Sequence, residues 1–304
     1  MLQDMSAYGI GNTPLIELNA VHGNRLFVKL EKMNFLGSIK ARSGYWMVRD
    51  LPAEAEGRTI VESTSGNLGL ALGYFCRLEN REFLCLVDQS TEKGKLEKLQ
   101  EHHIAYEIVH GSGGTDFRRA RIQRAQELMD GGGCYWVNQY DNLAGVAAHR
   151  MTTGPEIWAQ TQGNITCCVC PIGSGGTICG VSQFLKSKSE KIQICGVEPF
   201  GSTIFGTVCR PYLNAGAGLA WPPPNLKRSG AKVDESFAID DRESICRARE
   251  LHESYGLFVG ITSGMAYAAA LRLAEKTEGE TIVLIAPDGG ETYRERLEGR
   301  PVLE

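Results

Sequence analysis

The sequence predicts an α/β fold of two domains, each a mostly parallel twisted sheet flanked by helices. Two observations carry this. Short apolar runs of strand length alternate with stretches of helical periodicity along the 304 residues. Several runs end in turns rich in Gly, Ser, Thr or Asn that lead straight into a helical stretch, as the crossover connections of a parallel sheet do.

In order, the strand-like runs are 25–30, 59–62, 83–87, 135–137, 165–171, 192–197 and 281–286. The helical stretches between them are 39–50, 67–78, 93–102, 117–129, 177–188, 242–255 and 265–276. Gly131, Gly132 and Gly133, with the segment 138–145, read as a seam. It divides the chain into a smaller N-terminal domain over 1–145 and a larger C-terminal domain over 146–304, with residues near 13–34 able to pair with the second sheet. Pro222, Pro223 and Pro224 mark an irregular loop, since consecutive prolines continue neither a helix nor an interior strand.

Composition narrows the function. With 42% apolar and 22% charged residues the chain is an ordinary globular protein, and a formal net charge of -4 leaves no basic footprint for nucleic acid or an anionic membrane. No apolar run approaches the roughly 20 residues of a membrane helix. The expected partners are small molecules and the expected location is cytoplasmic. Most of the ten cysteines lie in apolar, strand-like runs, which suits reduced thiols. Cys167 and Cys170 have the spacing of a metal or redox pair, but a strand sends them to opposite faces, so they read as core and no metal site is expected.

Four turns carry candidate chemistry. Gly173, Ser174, Gly175, Gly176 and Thr177 follow a strand and open a helix, where converging N–H groups and the helix dipole hold a phosphate. This is not the dinucleotide fingerprint, because Ile178 stands where a small residue is needed; alone, the loop leaves monophosphate and dinucleotide both open. Thr64, Ser65, Gly66 and Asn67 offer hydroxyls, an amide and backbone donors to a carboxylate, or else form a simple N-cap. Lys40 stands at a helix start, where the dipole and desolvation lower an amine's pKa toward a nucleophile; a lone lysine there is more often a solvated charge. Asp288 follows the last strand, where a polar group can meet a heterocycle nitrogen, or where an aspartate simply begins a turn.

Together these turns resemble the fold type II pyridoxal-phosphate family of cysteine synthases and cystathionine β-synthase, whose fold is that of the tryptophan synthase β-subunit. The matching segments are GNTPL from Gly11, GSIKAR from Gly37, TSGNLG from Thr64, TTGPEI from Thr152, GSGGT from Gly173, GLFVGITSG from Gly256 and PDGGETY from Pro287. The resemblance implies a cofactor, pyridoxal 5'-phosphate, lying in the cleft between the domains as a Schiff base on Lys40. Its phosphate falls to residues 173–177, its 3'-hydroxyl to Asn67, its ring nitrogen to Asp288 and one side of the ring to Ser263 and Gly264. The substrate carboxylate falls to Thr64, Ser65, Gly66 and Asn67, with Gln139 assisting.

The implied reaction is β-replacement on an O-acetyl- or O-phospho-L-serine through an α-aminoacrylate, in a homodimer. ESTSGNLG from Glu62, YWVNQY from Tyr135 and GSTIFG from Gly201 are similar to N-(2-amino-2-carboxyethyl)-L-glutamate synthases of siderophore pathways, which join O-phosphoserine to L-glutamate. For a phosphoserine substrate Arg150 and Arg210 are the candidate phosphate ligands. Phe35 and Ala41 replace the family's usual proline and aspartate, and Asp288 replaces a common serine. A dehydratase-type β-elimination and a cofactor-free binding paralogue are the competing readings.

Overall fold

The computed structural model describes residues 2–64, 66–89, 91–111, 117–206 and 208–299. Its strands are β1 (Leu15–Glu17), β2 (Arg25–Leu30), β3 (Thr59–Ser63), β4 (Phe83–Asp88), β5 (Ala105–Val109), β6 (Cys134–Trp136), β7 (Cys167–Pro171), β8 (Gln193–Pro199), β9 (Glu235–Ile239) and β10 (Thr281–Ala286). Its α-helices are α1 (Lys40–Arg49), α2 (Asn67–Leu78), α3 (Lys93–Glu101), α4 (Phe117–Asp130), α5 (Leu143–Ala148), α6 (Gly154–Gln160), α7 (Gly176–Lys188), α8 (Pro224–Ser229), α9 (Asp241–Tyr255), α10 (Ile261–Ala274) and α11 (Arg294–Glu298).

Two sheets form. Four parallel strands run in the order β5-β4-β3-β6, and six in the order β1-β2-β10-β7-β8-β9, parallel except for β1 against β2. Apolar side chains on both faces of the inner strands explain the coverage by helices on both sides. The six-stranded sheet buries Val28, Val169, Val197 and Leu284 against α9 and α10, and Cys168, Ile194, Val283 and Ile285 against α5, α6 and α7. The four-stranded sheet packs Ile60, Cys85 and Val87 against α1, α2 and α3, and Val61 and Leu86 against α4.

β2 pairs with β10, so a strand from the beginning of the chain lies in the sheet formed by its second half. Cys167 and Cys170 lie on opposite faces of that sheet: Cys167 packs beside Cys195, Cys170 beside Cys168. The proline run is only partly irregular. Pro224 opens α8, the position at which proline's fixed φ and missing N–H cost nothing. α5 and α6 join through a π-helical turn at His149–Thr153, which turns the His149 side chain inward.

Candidate active site

Lys40 is the first residue of α1, and the turn before it is tightly pinned. Asn34 accepts from the Gly11 amide at 2.9 Å and donates to the Glu31 carbonyl and carboxylate at 2.8 Å. Leu36 takes the left-handed conformation, φ 64°, a costly one for a side chain of its size. Ser38 then bridges Asp288, and the Ile39 amide donates to the Pro287 carbonyl at 2.8 Å, joining the start of α1 to the carboxyl end of β10. Burial pulls the Lys40 amine below its usual range, and the charges of Glu62 and Asp288 only partly oppose this.

Asn67 begins α2 and donates its amide to Asp288 Oδ2 at 3.1 Å; the Tyr293 hydroxyl donates to the same oxygen at 3.3 Å. Asp288 Oδ1 is buried with no hydrogen-bond partner. Burial pushes this carboxyl up to about 6, against the pull of Lys95, Asn67 and Tyr293. Thr64 and Gly66 flank this corner. Ser65 lies outside the described residues.

The turn between β7 and α7 carries Gly175 at φ 84°, left-handed, where a side chain would be strained. Asn225 spans two loops, donating to the Ser174 and Gln139 carbonyls at 2.9 Å each and accepting from the Asn142 amide. Thr177 turns its hydroxyl to His149 Nε2 at 3.3 Å. The same nitrogen lies 3.1 Å from the Ser43 hydroxyl, and Nδ1 lies 2.9 Å from Thr153 Oγ1. Burial, with Arg42 and Lys40 nearby, holds His149 well below the ordinary histidine range, so the ring is neutral. A buried imidazole therefore links the helix of Lys40 to the helix of the glycine turn.

Lys40, Thr64, Gly66 and Asn67 line one cavity with Gln139, Gly173, Ser174 and Asp288. Gly175 and Gly176 shape the turn behind it. Thr262 reaches the cavity wall, whereas Ser263 is fully buried in the first turn of α10 with an unpartnered hydroxyl. Arg150 is exposed in the π-helical turn, and Arg210 sits over the Phe200 ring in an outer vestibule. Neither lines the inner cavity. Lys95, Arg118 and Arg121 do, and sequence reasoning missed them because nothing in their helices distinguishes them from solvated charges. It also missed Glu62, which burial pushes up to about 8 while Gln139 pulls it down, and His149 and Tyr293, although Glu62 and Tyr293 lie inside quoted segments.

The chemistry of these groups fits one cofactor in three places: an amine kept nucleophilic by burial, a glycine turn at a helix N-terminus for a phosphate, and a buried carboxylate oxygen awaiting a donor. Among known proteins, the chain is 34% identical to a cysteine synthase of Buchnera aphidicola subsp. Schizaphis graminum, over 95% of this chain and 93% of that protein. Its structure superposes on the O-acetylserine dependent cystathionine beta-synthase from Helicobacter pylori with a TM-score of 0.88 at 28% identity, covering 100% of this chain and 99% of the other. It superposes on the cysteine synthase from Entamoeba histolytica with a TM-score of 0.86 at 30% identity, covering 96% and 89%. Residues 7–288 match the family model described as pyridoxal-phosphate dependent enzyme, and it is to this family that the chain belongs.

Proposed function

We propose that the protein performs β-replacement on an O-activated L-serine, with pyridoxal phosphate held by Lys40. The observation that carries the reading is that one cavity brings together the depressed amine of Lys40, the 173–174 end of the glycine turn and the open oxygen of Asp288. When bound, the cofactor supplies the electron sink that protein side chains lack.

Each residue then has a task that its setting supports. The glycine turn receives the phosphate at the N-terminus of α7, backed by Asn225. Asp288 Oδ1 accepts a hydrogen bond from a protonated ring nitrogen, and Asn67 and Tyr293 keep the carboxylate turned to that task. Residues 64–67 present the N-terminus of α2 to the substrate carboxylate, with Gln139 beside it. With the cofactor bound, the Lys40 amine would be the group placed to take the proton from the substrate's α-carbon, which a depressed pKa allows near neutrality.

The reading extends to the N-(2-amino-2-carboxyethyl)-L-glutamate synthases. Lys95, Arg118 and Arg121 line the inner cavity and continue into the vestibule, where Arg210 and Arg296 also lie. Asp88 and Glu92 line the vestibule as well and pair with Arg121, Lys95 and Arg296, but the cations outnumber them, and such a lining favours a phosphate leaving group and an acidic amino acid as the incoming nucleophile. The proposal also includes a division of the chain near residue 145, a homodimer, and a cytoplasmic location that the ten free thiols suit; no described helix is long and apolar enough to cross a membrane. Mass spectrometry of products from O-acetyl- and O-phospho-L-serine, offered with sulfide, cysteine, homocysteine and glutamate, tests the assignment. Lys40→Ala abolishes all product while the folded protein still binds pyridoxal phosphate. Undiminished turnover in that variant, or pyruvate as the sole product of the wild type, overturns it.

A further inference from the structure

Glu62 is the second acidic side chain beside Lys40, and no task assigned so far uses it. It lies at the end of β3 and is fully buried, and none of the ion pairs among the described residues involves it. Gln139 holds it by two hydrogen bonds, and the Trp136 indole N–H and the Arg121 charge also favour its ionised form. The Gln139 backbone N–H donates to Oε2 at 3.2 Å and the Gln139 side-chain amide donates to Oε1 at 3.3 Å. The other proton of that amide goes to the Ser63 carbonyl at 3.1 Å.

The backbone at Gln139 needs such support. It opens a 3-10 turn directly after Asn138, which is left-handed at φ 52°. The Gln139 carbonyl is in turn held by Asn225, which also holds Ser174. We infer that Glu62 is a positioning residue for substrate binding: it fixes the turn and the amide orientation of Gln139, so that Gln139 meets the substrate carboxylate without searching. This rests on the proposed role of Gln139. Two bonds to Glu62 and one to Ser63 make Glu62 a pivot. The rigid amide swings as a unit about its contact with Glu62, trading the Ser63 carbonyl for a substrate carboxylate, while the backbone N–H bond to Glu62 Oε2 keeps the turn in place. The carboxylate accepts both bonds through its two oxygens, and when protonated it keeps its carbonyl oxygen and the remaining lone pairs of its hydroxyl oxygen as acceptors; a carboxamide does not serve, because its nitrogen meets an N–H head on.

The test is a double-mutant cycle of Glu62→Gln and Gln139→Ala, read as KM for O-acetyl- and O-phospho-L-serine, kcat, and affinity for pyridoxal phosphate. A buried donor left without an acceptor is expected to raise KM on the order of tenfold. We expect kcat at pH 7 and cofactor affinity to stay within about threefold of the wild type, because burial holds Glu62 largely protonated there, so its replacement moves little charge beside Lys40, and the Asn225 contact to Ser174 is untouched. The double variant has the KM of Gln139→Ala alone. Additive effects on KM, an unchanged KM in Glu62→Gln, or a fall in kcat or cofactor affinity in step with KM overturns the inference. If Glu62→Gln does not fold, Glu62→Asp, which keeps a carboxyl but withdraws it by one methylene, takes its place, and a wild-type KM there is equally fatal. Wild-type protein that turns over neither ester defeats the proposed function rather than this inference. The cycle is then read on the dissociation constant of L-serine, followed by the absorbance of the bound cofactor, with the same expected non-additivity.

Discussion

Glu156→Gln removes the hinge of a buried charge network behind Lys40. Glu156 Oε1 accepts from Arg42 Nη1 at 2.6 Å, and Oε2 accepts from Arg42 Nη2 at 2.8 Å and from Lys29 Nζ at 2.7 Å. Arg42, fully buried two residues after Lys40, also makes a two-pronged contact with Glu31 at 2.7 and 2.8 Å. Two cations thus face two carboxylates, and the glutamine leaves Glu31 alone to balance both. It also turns an N–H₂ toward Lys29 or Arg42, donor against donor.

Burial alone would raise the Glu156 carboxyl, but Arg42 and Lys29 more than reverse it and bring it from 4.5 to about 2. At about 1.4 kcal/mol for each tenfold change in proton affinity, this corresponds to about 3 kcal/mol, which agrees with the roughly 3–5 kcal/mol lost when one member of a buried pair is removed. The sign follows from the depressed pKa. The contribution is complete above the unfolded value of 4.5 and drains away as the pH falls from there toward 2. Urea unfolding at a series of pH values from 7 down to 3 measures it. Glu156→Gln is less stable than the wild type by about 3 kcal/mol at pH 7, and the gap narrows below 4.5. A deficit under about 1 kcal/mol at pH 7, the level of a surface ion pair, or a gap that does not change with pH, refutes the reasoning.

Asp288 gives the opposite sign, because burial raises its carboxyl from 3.8 to about 6. Its ionisation costs the folded state up to about 3 kcal/mol as the pH rises through that window, so cofactor-free Asp288→Asn is more stable than the wild type above pH 6 and equal to it below 3.8; denaturant melts at the two ends check this. Gly180 faces the backbone where α7 crosses α5, and a Cβ there would lie 2.3 Å from the Val146 carbonyl oxygen and 2.6 Å from the Arg150 nitrogen. Gly180→Ala therefore pushes α7 and its N-terminal turn away, costing roughly 1–3 kcal/mol in stability and weakening pyridoxal-phosphate binding in a fluorescence titration.

What can be read from the sequence follows from how locally each feature is determined. The sequence pattern places β10 and α2 to the residue, because a wholly buried run and an apolar helix bounded by Gly66 and Glu79 carry their own boundaries. β1, β5 and β9 escape it, and each is an edge strand: Tyr106, Glu107 and Ile108 are half-buried or exposed, so their pattern carries little contrast. α10 begins four residues before the predicted start, since Thr262 and Ser263 look like turn residues until Asn214 accepts the Thr262 hydroxyl at 2.7 Å. Lys40, the glycine turn and Asp288 are visible because each sits on its own strand-to-helix junction. His149 and Glu62 act through residues remote along the chain, Ser43 and Gln139, and no local pattern encodes such a meeting.

The two ends of the cavity are built for different demands. On the cofactor side, Asn67, Tyr293, the Ile39 amide and His149 join α1, α2, α7 and the β10 loop by hydrogen bonds between buried or partly buried groups, so a shift of any one disturbs several others. Across the mouth the joins are fewer and outward. Arg118 reaches the Gly218 carbonyl at 2.7 Å, and Arg296 lies 3.4 Å from Glu92, the residue that also holds Lys95 at 2.9 Å. The Lys95 stem in turn lies against Gly66, where a Cβ would be 3.4 Å from its Cδ. An anion entering beside Lys95 competes with Glu92 for the ammonium, and a change in Lys95 is felt at Gly66, in the loop offered to the substrate carboxylate. A site that must hold its cofactor through many turnovers, yet admit two substrates in succession, needs this division between a locked floor and an exchangeable rim.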